Sequence, residues 1–144
     1  MHPFPHHYQV TAKASPQGDV MLATADTPDI ATQAPAEFGG PGGRWSPESL
    51  LTAAVADCFV LGFRAIVGAS KFEFNALDVK VEGTLDQVDK VMKFTDMHIT
   101  AELSIPEGSD AGKAERFLAM AEKSCLITNS MNVNCHLSSK VTVA

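Results

Sequence analysis

A chain of 144 residues with 45% hydrophobic content can bury roughly two-thirds of its unfolded surface, so it needs no structural disulfide or metal to fold. Eleven Lys and Arg against seventeen Asp and Glu give a formal charge of −6, which argues against a nucleic-acid partner because phosphate binding relies on clustered cations. Three cysteines with no Cys-x-x-Cys pair argue equally against a disulfide framework, a zinc knuckle and a thioredoxin-type motif.

The start, Met1-His2-Pro3-Phe4-Pro5-His6-His7, has neither the basic cluster nor the apolar run of a signal peptide and reads as an extended tail. Its histidines match no zinc or copper spacing, so no metal is expected. Residues 8–13 alternate apolar and polar, Ser15-Pro16-Gln17-Gly18 supplies turn chemistry, and residues 20–23 complete a predicted hairpin. Between positions 25 and 45, Pro28, Pro35, Pro41 and glycines 39, 40, 42 and 43 predict a long loop, or a loop holding one edge strand.

Ser46-Pro47-Glu48 is a helix start: Ser caps free amides, Pro fits the first turn, and Glu complements the positive dipole end. The helix is expected to run to about Gly68. Its apolar residues lie on nearly every face, the pattern of a helix buried all round. One chain of this size has difficulty enclosing such a helix, which predicts a homodimer with the helix near its centre. The segment approaches membrane-span length, but Asp57 and Arg64 would be costly in lipid, so it reads as a soluble helix of a cytoplasmic protein. Segments 77–85 and 94–105 alternate with period two and predict a half-buried antiparallel pair. An amphipathic helix over 111–124, with Ala114, Phe117, Leu118 and Ala121 on its apolar side, precedes a helical turn at 126–131 and a last strand at 133–143. The expected fold class is α+β, with antiparallel sheets packed on two main helices, as one domain over 1–144 in which 1–7 is the tail.

Ser46-Pro47-Glu48-Ser49-Leu50-Leu51, the ten-residue step from Glu48 to Cys58, the Ala-rich approach to Cys58-Phe59, and Cys125 in a Cys-Leu-Ile-x-Asn-Ser segment occur in one order along the chain. In these features the chain resembles the OsmC/Ohr family of organic hydroperoxide reductases. The resemblance implies an intertwined homodimer with two interfacial sites and no cofactor, with Cys58 as the peroxidatic and Cys125 as the resolving cysteine. It also implies a carboxylate, matched by Glu48, and an arginine upstream of the helix. No arginine precedes Arg44, and Ala36-Glu37-Phe38-Gly39 stands where the family's base is expected, so Arg44 is the upstream candidate.

Peroxide attack needs a thiolate, and an ordinary cysteine is mostly protonated at neutral pH. Burial and Asp57 would both oppose ionisation of Cys58, so a cation is required, proposed as Arg44 oriented by Glu48. Ten helical residues separate Glu48 from Cys58 by roughly 15 Å along the axis. Either the helix breaks between them or Glu48 serves the partner's site. Phe38, Trp45, Phe59 and Leu61 form the expected apolar wall, which would favour organic hydroperoxides, and the resemblance points to a lipoyl-type dithiol as reductant. The plainer readings are that Cys58 packs as a small hydrophobe, Glu48 only complements the dipole, Arg44 is an exposed loop residue and Cys135 is inert in its strand. A catalytically silent protein binding a small apolar ligand at the dimer interface is the alternative function.

Overall fold

A computed structural model describes residues 1–144. The backbone gathers into two compact units, Met1–Leu50 and Leu51–Ala144.

In the first unit, β1 (Thr11–Lys13), β2 (Val20–Ala23) and β3 (Ile30–Thr32) form an antiparallel meander in that order. The hairpin expected over 8–23 is present with a shorter first strand. The breaker-rich stretch does hold a strand, β3, and Trp45 adds a parallel bridge to Thr32 beside it. The rest of the stretch is ordered by its own backbone. A 3-10 turn over Ala36–Phe38 ends on Gly39 at φ 82°, where a left-handed residue closes the turn. Gly40 then passes so near the Ala34 carbonyl that no side chain would fit. The only buried residues in this unit are Thr32 and Ser46, so it has no hydrophobic core of its own.

Helix α1 runs without a break from Pro47 to Ala69. Ser46 and Ser49 start it reciprocally: Ser49 N–H donates to Ser46 Oγ at 3.1 Å, and Ser46 N–H donates to Ser49 Oγ at 2.8 Å.

The second unit is built on a three-stranded sheet, β4 (Ala76–Val88), β5 (Val91–Ile105) and β6 (Asn134–Val143), with β5 central. Asp89 and Lys90, both at positive φ, join β4 to β5 as a two-residue hairpin turn. Both strands therefore extend past the limits set by their alternation. Met97, Ile99, Ala101, Leu103 and Ile105 alternate inward along β5 and are fully buried. Val55, Phe59, Phe63 and Val67, spaced four apart along α1, join that core. Helix α2 (Ala111–Lys123) adds the expected Ala114, Phe117, Leu118 and Ala121. Its N-cap is Asp110, which accepts from Lys113 N–H.

One expectation needs correcting. The second sheet is mixed, because β6 pairs with β5 in parallel. The chain leaves β5 and returns through α2 and the short helix α3 (Leu126–Asn129), and a crossover of that length brings the next strand back parallel. As expected of a helix that one chain of this size has difficulty enclosing, only 22% of the most apolar window of α1 is enclosed within the chain, corresponding to one stripe. By length and composition this one helix could cross a membrane, but its stripe packs on the core of the second unit.

Candidate active site

Cys58 lies in the middle of α1, half-buried, with Ala54 and Gly62 one turn away on either side. Cys125 immediately precedes α3 as its N-cap residue and is 2% exposed. The two thiols meet, each acting on the other's ionisation through a side-chain hydrogen-bonding contact. They are reduced and unlinked.

The start of α3 supplies the polar surroundings. Its unpaired amides point toward the sulfurs, and such N–H groups favour an anion. Burial is the largest influence on Cys58 and pushes its thiol above the ordinary cysteine value, with contact from Cys125 adding to the rise against the Ile127 and Leu126 amides. Burial also pushes Cys125 upward. There it is outweighed by the hydroxyl and amide of Thr128, the Cys58 thiol and the Ile127 amide, which together hold Cys125 below the ordinary value. The pair is thus shifted in opposite directions, Cys58 upward by burial and Cys125 downward by the donors at the start of α3.

Thr128 is the residue that sequence reasoning missed. It is buried, and its hydroxyl donates to the Cys125 carbonyl at 3.2 Å while also lying within reach of two sulfurs, those of Cys125 and Cys135. The available signal was its place three residues after a helix-capping cysteine, as the open position of Cys-Leu-Ile-x-Asn-Ser. Nothing in the pattern of β6 marked Cys135 as a neighbour of that segment.

The remaining predicted residues are described within their own units. Arg44 and Trp45 line an open cavity of about 630 Å³ in the first unit with Asp29, Ile30, Ala31, Gly43 and Ser49. The Arg44 guanidinium is held there by Asp19, with Nε to Oδ2 at 3.2 Å. The hydrogen bond from Gln33, followed by that from Arg44, keeps the Asp19 carboxyl below its usual range. Glu48 sits in the first turn of α1 with one carboxylate oxygen buried. Since α1 is uninterrupted, the helix break considered between Glu48 and Cys58 does not occur. Phe38 is exposed in the 3-10 turn. Phe59 is wholly enclosed in the core of the second unit, a packing position, whereas Leu61, three residues from Cys58, is 52% exposed.

An α+β fold carrying two apposed thiols beneath a short helix defines a class of small dithiol proteins. The chain belongs to the OsmC/Ohr family, matching the OsmC-like protein pattern over residues 40–140. It is 26% identical over 144 residues to the uncharacterized protein YmaD of Bacillus subtilis, covering 96% of this chain and 95% of that one. Over 92 residues, 64% of each chain, it is 26% identical to the peroxiredoxin OsmC of Escherichia coli. Among solved structures, the organic hydroperoxide resistance protein OsmC of Legionella pneumophila superposes with a TM-score of 0.78 at 25% identity, covering 96% of this chain and 100% of that one.

Proposed function

We propose that the protein is a cytoplasmic thiol-dependent peroxidase that reduces organic hydroperoxides in oxidative-stress defence. The observation that carries this reading is the contact between the Cys58 and Cys125 thiols, with the amides of α3 favouring a negative charge at the pair. Cys58 is the attacking sulfur because it is the less buried of the two, and the higher proton affinity of its thiolate goes with greater nucleophilicity. Its proton passes to the Cys125 thiolate. The Cys58 thiolate then attacks the peroxide oxygen, giving a sulfenic acid and an alkoxide that takes the proton from Cys125 to become the alcohol, leaving Cys125 as thiolate. Cys125 next attacks the Cys58 sulfur as thiolate, forming the disulfide and expelling hydroxide. The sum converts a singly ionised dithiol and one hydroperoxide to a disulfide, one alcohol and one hydroxide.

The amides of α3 contribute the positive potential that an arginine was expected to supply. A second copy of the chain is the natural cover for the open face of α1, and Glu48, on an unbroken helix, serves the partner's Cys58 in such a homodimer. A small dithiol of lipoyl type returns the disulfide to two thiols.

Titrating the reduced protein with cumene hydroperoxide and counting free thiols tests the reaction. Two thiols lost per chain, with the loss abolished in Cys58→Ser, is the expected result; an unchanged thiol count at stoichiometric peroxide rejects it. That second outcome would favour a silent protein binding a small apolar ligand, a reading supported by the engagement of Arg44 with Asp19.

A further inference from the structure

Glycine in the middle of a helix lowers stability relative to alanine, because it gives up the most backbone freedom on folding. Two needs commonly keep it there: a left-handed conformation, or a neighbour too close for a side chain. Gly83 of β4 is of the second kind, since a Cβ on it would lie 2.9 Å from Phe94 Cε1 and 3.1 Å from Thr52 Oγ1. Gly62 meets neither need within the chain. It lies inside α1 with no positive φ, and a Cβ on it would have no neighbouring atom within 4 Å.

Its position supplies a reason. Gly62 follows Cys58 by one helical turn, and the Cα–Cβ bonds of a helix lean toward its N-terminus. A side chain at 62 would therefore lie over the turn that carries Cys58. Of the other residues three or four positions from Cys58, Val55 is fully buried in the core, Ala54 offers only a methyl, and Leu61 is 52% exposed. The gap at 62, with Leu61 beside it, is thus apolar room bordering the turn of Cys58.

We propose that Gly62 is a specificity-determining residue: the organic substituent of a hydroperoxide occupies the space a side chain at 62 would fill, against Leu61, while the peroxide oxygen meets the Cys58 sulfur. This rests on the peroxidase reading above. Hydrogen peroxide has no substituent to place there, whereas a branched or aromatic hydroperoxide buries apolar surface in the gap. Close packing of a second copy onto Gly62 is the competing use of the same space.

The test compares Gly62→Ala and Gly62→Leu with the wild type. Both introduce good helix formers, so the thermal midpoint should not fall. The reduced full-length proteins are treated with iodoacetamide or with the bulkier N-phenylmaleimide, and labelling of the Cys58 peptide is followed by mass spectrometry. The ratio of the N-phenylmaleimide rate to the iodoacetamide rate should fall by about tenfold in Gly62→Leu and by less in Gly62→Ala. The ratio of kcat/KM for cumene hydroperoxide to that for hydrogen peroxide should fall in the same order. Unmoved ratios in a protein that does consume cumene hydroperoxide overturn the role of Gly62 and leave the peroxidase reading standing. Variants that lose self-association and react faster with both reagents overturn it in favour of the second copy. A wild-type protein in which cumene hydroperoxide oxidises no thiol rejects the peroxidase reading, and this proposal with it.

Discussion

At the level of single residues, the site is a problem of placing one negative charge among buried sulfurs. An isolated buried thiol resists ionisation, and burial indeed dominates at Cys58, Cys125 and Cys135 alike. Only Cys125 escapes, because Thr128 and the first amides of α3 converge on it. Thiolate absorbance at 240 nm followed against pH should therefore show one thiol per chain ionising below the ordinary cysteine range and others above it. A lowered value means that thiolate appears at lower pH, so Thr128→Val should shift the first step to higher pH while leaving the backbone donors in place. A first step lying in the ordinary range and unmoved by that variant would remove the role given to Thr128. The two cysteines were legible in the sequence because each sits in a distinctive segment. Their electrostatic supports were not, since a backbone amide has no letter and Thr128 resembles any threonine in a short helix.

At the level of elements, α1 carries the consequences of having one enclosed face. Phe59 and Phe63 are fully enclosed in the core cluster that also holds residues of β5 and α2, so truncating either leaves a cavity there. Phe63→Ala should lower unfolding stability by about 3–5 kcal/mol, measured as a fall in the urea midpoint at unchanged slope. A loss below about 1 kcal/mol would mean that the α1 stripe is not the core contact described. The helix itself was readable from Ser46-Pro47-Glu48, and α2 from its four-residue apolar set, because capping and periodicity are local signals. Strand direction was less accessible. Alternation in residues 133–143 announces a strand but is the same for parallel and antiparallel pairing, and the decision lay in the crossover through α2 and α3.

At the level of the whole molecule, exposed apolar residues are numerous enough to call for a partner. Tyr8, Val10, Phe38 and Trp45 of the first unit and Leu51 and Leu61 of the second are all open in the single chain. Sedimentation equilibrium at micromolar concentration should give twice the chain mass, and Leu61→Asp should shift the population toward monomer. A wild-type protein that sediments as a monomer would require another cover for α1. The sequence by itself determined the α+β class, the order of the elements and the family, since these rest on periodicity, capping and motifs read within short windows. The tertiary structure alone decided that the thiols of positions 58 and 125 meet, that Thr128 closes on Cys125 and that Asp19 engages Arg44. Such meetings join residues remote in the chain, and proximity of that kind comes from how helices and strands pack rather than from any local pattern of residues.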